Sequence, residues 1–153
     1  EPDIVVTGKG LSGGVYPITG TLMTAGLRAF FEDHPFVHIS TFGGSELGCV
    51  AALEVLDIIE EPGFLARVRE VGDRIEAGLA PVDVEVRRRG MFMGLRFDDP
   101  AGGLAATQQV IGAGVFAIFA NNDPSVLQFL PPLTISDDEV DWLIDTTVAA
   151  LSA

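Results

Sequence analysis

Thr7-Gly8-Lys9-Gly10-Leu11-Ser12-Gly13-Gly14-Val15-Tyr16-Pro17 contains the only lysine in the 153 residues of this chain. All other basic residues except two histidines are arginines, so Lys9 is not one of a lysine coat. Glycines flank it on both sides, and the apolar run Ile4-Val5-Val6 leads into it. The pattern predicts a short buried strand that ends in a loop whose backbone can approach a ligand closely. An amine in such a place can have its charge tuned: a free lysine titrates near ~10.4, and burial or a neighbouring cation brings it toward ~7–8, where it acts as nucleophile or base. Lysine also condenses with carbonyls to Schiff bases, the linkage that anchors pyridoxal phosphate. The alternative is an ordinary surface lysine beside a glycine turn, and spacing alone leaves both open.

The wording of the stretch goes further than its spacing. Gly8-Lys9-Gly10-Leu11-Ser12-Gly13-Gly14-Val15-Tyr16-Pro17 closely resembles the cofactor-lysine segment of the class III, ornithine aminotransferase-like family. Three more blocks fit the same family in order: Pro2-Asp3-Ile4, Ser40-Thr41-Phe42-Gly43-Gly44 and Phe129-Leu130-Pro131-Pro132-Leu133-Thr134. Together they span nearly the whole chain. The resemblance implies pyridoxal 5'-phosphate as cofactor, Schiff-base linked to Lys9, and transfer of an amino group from an amine or ω-amino acid to an oxo acid. It implies that Thr41, with Ser40 beside it, reaches the cofactor phosphate of a neighbouring subunit, so that the active site lies at a homodimer interface. Read without the family, the same block is a serine/threonine turn ahead of a helix with Ser45 at its N-cap; the two readings are compatible.

Two departures from the family pattern stand out. Ser45-Glu46 replaces the usual Asn-Pro after the glycine pair, which changes a helix start and little chemistry. Gln128 stands where ornithine, acetylornithine, 4-aminobutyrate and putrescine aminotransferases carry an arginine that holds a substrate carboxylate. Glutamine has neither the fixed charge nor the bidentate fork of arginine. Gln128 is thus a candidate substrate-binding residue or a plain polar strand residue. Other class III activities, an aminomutase or a decarboxylase, would share the lysine, and a non-catalytic truncated product is the alternative outside enzymes.

Members of the family are considerably longer, with the cofactor lysine past the midpoint, and this chain opens on Glu1 inside the family pattern. The expectation is the C-terminal portion of a fold-type-I transferase, inactive alone: residues 1–60 close a large α/β cofactor domain, and residues 61–153 form a small α+β domain. The N-terminal portion would then hold the acid that pairs with the pyridine nitrogen and most phosphate contacts.

Composition narrows the class. The chain is 48% hydrophobic with a net charge of −13, which argues against a nucleic-acid surface. Arg87-Arg88-Arg89 is the one basic run and reads as a solvated strand end. No apolar run approaches the ~20 residues of a membrane span, and no basic or apolar leader opens the chain. Cys49 is the single cysteine, set in an apolar helical pattern, so a buried thiol in a cytoplasmic protein is expected. His34 and His38 lack partners at metal-ligand spacing and read as loop residues.

The remaining periodicities give the elements. Ile4–Val6 and Ile18–Met23 read as strands, Ala25–Phe31 as a short helix, and Glu46–Glu60 as a long helix apolar on most faces and therefore buried. Pro62-Gly63 breaks it. Leu65, Val68, Val71, Ile75 and Leu79 then mark an amphipathic helix. Strict alternation over Val82–Arg88 predicts a half-exposed strand, followed by a strand over Met91–Phe97 with Gly90 at the bend. A short helix over Leu104–Ile111, strands at Val115–Phe119 and Val126–Leu130, and a final helix opened by the capping box Ser136-Asp137-Asp138-Glu139 complete a small, antiparallel, helix-covered sheet.

Overall fold

The computed structural model describes residues 1–152, which divide into two compact units, Glu1–Phe64 and Leu65 onward. In the first, β1 (Ile4–Thr7) and β2 (Gly20–Met23) form an antiparallel ribbon in the register Ile4 to Met23 and Thr7 to Gly20. A single 3-10 turn, Lys9–Ser12, follows β1 directly. Helix α1 (Ala25–Asp33) comes next, and α2 (Glu46–Glu60) starts and stops where the periodicity placed it.

Burial in this unit differs from expectation. The ribbon is exposed on both faces, with Ile4 at 53%, Val6 at 71% and Leu22 at 60%. Only Gly48 and Ala52 of α2 are buried, and Leu47, Val50 and Leu53 point outward. Cys49 is exposed, not buried. The apolar pattern requires a covering layer, and among the described residues of this unit none supplies one.

The second unit builds its own core. After α3 (Phe64–Gly78), β3 (Glu85–Arg89) and β4 (Phe92–Arg96) form a hairpin closed by Gly90 and Met91. Gly90 has φ +57, the left-handed region that favours glycine in a tight turn. Helix α4 (Gly102–Gly112), β5 (Ile118–Ala120), β6 (Asp123–Phe129) and α5 (Asp137–Leu151) follow. All pairings in the sheet order β3-β4-β6-β5 are antiparallel, with a register shift at Phe119/Ala120.

Alternation sorts the sheet's two faces. Met93, Leu95, Leu127 and Phe129 turn inward and join Val71, Ile75, Leu79, Ala106, Val110 and Val140 in a core where each is at most 2% exposed. Phe92, Gly94, Arg96, Val126 and Gln128 occupy the opposite, partly solvated face. The helix α4 starts two residues before its apolar stretch because Gly102 and Gly103 let it press on the sheet. A Cβ on Gly103 would lie 2.4 Å from the carbonyl carbon of Val126.

Polar contacts pin the helices. Arg67 and Arg74 of α3 each donate to Asp137 of α5 at 2.7 Å. The box at Ser136 forms in full: Glu139 N–H donates to Ser136 Oγ, and the Glu139 carboxylate accepts from Ser136 N–H at 2.8 Å. Arg88 departs from the solvated reading of its run. Its half-buried guanidinium sits between Asp73 and Glu76 of α3, while Arg87 turns outward to Glu85.

Candidate active site

Lys9 begins the 3-10 turn with φ +49, and it is the one non-glycine residue with positive φ among those described. Such a backbone persists when its surroundings over-determine it, and it clusters at functional sites. Leu11 N–H donates to Gly8 O and Gly13 N–H to Gly10 O, both at 3.0 Å. Gly13, at φ +61, turns the chain out of the helix. Ser12 is 2% exposed, and its Oγ donates to the carbonyl of Tyr16, which closes the loop on itself.

Beside this loop lies an open hollow of about 530 Å³ lined by Lys9, Ser12, Gly14, Tyr16, Pro17, Ile18 and Thr19. Lys9 is exposed, and no carboxylate lies within ion-pairing distance of it among the described residues. A primary amine without an acidic partner, on the rim of a hollow, is what capture of an aldehyde requires. The residues present therefore fit the aldehyde end of pyridoxal phosphate. The hollow's lining contains no carboxylate to face a pyridine nitrogen.

Ser40 and Thr41 lie in the exposed bend ahead of α2 and do not line the hollow. Their hydroxyls and the amides of Gly43 and Gly44 form a set of donors suited to phosphate. Gln128 belongs to the second unit. It is half-buried on the open sheet face, and its Nε2 donates to Phe119 O at 3.1 Å. Around it, Arg87, Arg89, Phe92, Gly94 and Asn122 border a depression of about 540 Å³. No group of histidine, cysteine and acidic residues among those described could hold a metal ion.

Two site residues escaped the sequence reading. Tyr16 is anchored from α2: Ser45 Oγ donates to Tyr16 Oη at 3.1 Å. Gly48 makes room for it, since a Cβ there would lie 2.9 Å from Tyr16 Cδ1. The signal available was Gly48 itself, a glycine inside an apolar helix, which marks close approach of another segment. The replacement of Asn-Pro by Ser45-Glu46 therefore alters more than a helix start.

The family model for aminotransferase class III matches residues 1–151. The chain belongs to that family. An uncharacterized aminotransferase of Archaeoglobus fulgidus is 42% identical over 98% of this chain and 37% of its own length. Acetylornithine aminotransferase 1 of Bordetella bronchiseptica is 40% identical over 94% of this chain and 36% of its own. Among solved structures, the ornithine aminotransferase of Toxoplasma gondii, which holds pyridoxal phosphate at partial occupancy, superposes with a TM-score of 0.85 at 27% identity, over 98% of this chain and 36% of that one. The chain thus spans 36–37% of the length of these relatives. The fold is that of a portion of a fold-type-I transferase.

Proposed function

We propose that the complete protein is a pyridoxal-phosphate-dependent aminotransferase that moves an amino group from an amine or ω-amino acid to an oxo acid. The observation that carries this is Lys9: the single lysine of the chain, in a left-handed backbone, on the rim of a hollow and free of acidic partners, inside a match to class III over residues 1–151.

Lys9 would anchor the cofactor through Nζ, with the hydroxyls of Ser40 and Thr41 offered to a phosphate. Bound there, pyridoxal phosphate supplies an electron sink for bond cleavage at the amine-bearing carbon. The Nζ of Lys9, when not bonded to the cofactor, would be a base able to hold and return the proton of the amine-bearing carbon. Amine and base in one side chain explain why lysine serves here and arginine would not: a guanidinium keeps its proton.

The same reading makes residues 1–60 the end of a large cofactor domain, residues 61–153 a small domain, and the enzyme a cytoplasmic homodimer. Exposed Val15, Phe36 and Phe42, each above 80%, support a further surface covering the first unit. No described helix is long and apolar enough to cross a membrane.

The test uses the full-length protein with bound cofactor. Borohydride reduction and peptide mapping should place the pyridoxyl label on Lys9, and Lys9→Ala should lose the label and the visible absorption band. With an amine donor and an oxo acid, the amino group should appear on the acceptor, which an aminomutase or a decarboxylase would not produce. A label on any other residue overturns the assignment.

A further inference from the structure

A serine at a helix N-cap ordinarily accepts a hydrogen bond from a backbone N–H two or three residues on. Ser45 occupies that position on α2 and makes no such bond. Its hydroxyl is turned instead to Tyr16 Oη, 29 residues away in sequence. The carbonyl of the same tyrosine accepts from Ser12 Oγ. Ser12 is buried and closes the 3-10 turn that Lys9 opens. Gly48, in the first turn of α2, is the gap that admits the ring: a Cβ there would meet Tyr16 Cδ1 at 2.9 Å and Ile18 Cδ1 at 3.0 Å.

We infer that Ser45, Tyr16 and Ser12 form a clip that fixes the Lys9 turn to the start of α2, with Tyr16 a positioning residue for Lys9. The inference rests on the reading of Lys9 as the cofactor lysine. A left-handed lysine relaxes to negative φ unless something opposes it. The turn's backbone hydrogen bonds, among them Leu11 N–H to Gly8 O, Gly13 N–H to Gly10 O and Val15 N–H to Ser12 O, close it locally. Tyr16 supplies a polar tie to α2: its ring and hydroxyl are held by that helix, and its carbonyl accepts from Ser12. Slackening the tie lets the turn sample other conformers, and the aim of Nζ into the hollow is lost for part of the time. The helix forgoes its cap to keep Tyr16 in place, so the serine at this departure from the family pattern has a definite task.

The full-length protein tests this with Tyr16→Phe, Ser45→Ala and the double variant, read by amide hydrogen exchange at Leu11 and Gly13 and by equilibrium dialysis of pyridoxal phosphate. Loss of one neutral hydrogen bond corresponds to about a fivefold change. Each single variant should therefore exchange faster at both amides and bind the cofactor about fivefold more weakly. The double variant should do no worse than either single, because both remove the same bond. Ser45→Thr, which keeps the hydroxyl, should restore wild-type exchange and affinity. Unchanged exchange and affinity in Tyr16→Phe, with the borohydride label on Lys9, overturns the clip alone, as does full additivity in the double variant. A label elsewhere in wild type overturns the reading of the site and the proposal with it.

Discussion

Gly103→Ala and Gly112→Ala place the same methyl group at two positions of one helix, α4, and should move stability in opposite directions. By helix propensity alone each should gain, since glycine is about 0.8–1 kcal/mol worse than alanine in a helix interior. The environments reverse one of them. At Gly103 the new Cβ would lie 2.4, 2.5 and 2.7 Å from the carbonyl carbon, oxygen and nitrogen of Val126. These are main-chain atoms of β6, a strand paired on both sides with β4 and β5, so nothing flexible can step aside. Relief requires α4 to lift from the sheet or β6 to bend, and overpacking of this kind costs about 1–3 kcal/mol. With the propensity gain subtracted, a net loss of up to about 2 kcal/mol is expected. At Gly112 no atom lies within 4 Å of the added Cβ. Its place at the end of the helix leaves roughly half the propensity gain, about 0.4 kcal/mol. Urea unfolding of the full-length protein, followed by a probe of the second unit, reads both as midpoint shifts at constant slope. A Gly103→Ala midpoint at or above wild type would refute the argument that α4 is seated on β6 through its glycines.

Three further outcomes follow from single groups. Thr147 is fully buried in α5 and its Oγ1 has no hydrogen-bond partner, so Thr147→Val should stabilise by about 1 kcal/mol, seen as a higher melting temperature; a lower one would mean that the hydroxyl has a partner. Glu139, Glu85 and Asp123 are held below their ordinary values of 4.5, 4.5 and 3.8, chiefly by hydrogen bonds from Ser136, Arg87 and Ser125 respectively. A carboxylate with a depressed folded value adds stability that is complete above its ordinary value and lost as pH falls through the folded one. Unfolding midpoints should therefore stay level above about pH 5 and decline below about pH 4, and Ser136→Ala should flatten that decline; an unaltered acid limb would count against it. Gln128→Arg should raise the ratio of specificity constants for an ω-amino acid over the matching diamine by about tenfold, because a charge-assisted hydrogen bond exceeds a neutral one by about 1–1.5 kcal/mol. Equal ratios in wild type and variant would leave Gln128 as a sheet residue bonded to Phe119.

The second unit was legible in the sequence because its periodicities act within it. Val68, Val71 and Ile75 are buried in the same unit as Val110, Val140 and Leu127, and Ser136 caps its own helix. The misses there are local. The start of α4 at Gly102 lay hidden because glycine lowers helix propensity, whereas here it permits close approach. Arg88 read as solvated because its two acids, Asp73 and Glu76, lie on another element. In the first unit the flanking glycines and the solitary lysine marked Lys9 as a candidate, but nothing marked Tyr16. Its importance comes from Ser45, 29 residues on, and no local pattern carries a contact of that span. The burial of β1, α2 and Cys49 was misjudged for a different reason: apolar pattern reports that a residue is to be covered, not by what.

That difference separates what this chain settles about its own site from what it leaves to other surfaces. Phe36, Phe42, Ile39, Val6 and Leu47 are each at least 70% exposed, and covering a side chain of this kind contributes about 1.5–3 kcal/mol. A surface that covers these side chains in the complete protein would add to the stability of the first unit. The Lys9 turn also has contacts of its own. Its left-handed lysine is bracketed by the β1–β2 ladder, by the Ser12–Tyr16 bond and by the seat of Tyr16 against Gly48, all contributed by residues 4 to 48. The Lys9 turn and the hollow beside it are both built from a short stretch of chain. The role proposed for Lys9 therefore rests on that stretch, while the role proposed for Gln128 rests on the second unit and is tested apart from it, by the ratio of specificity constants.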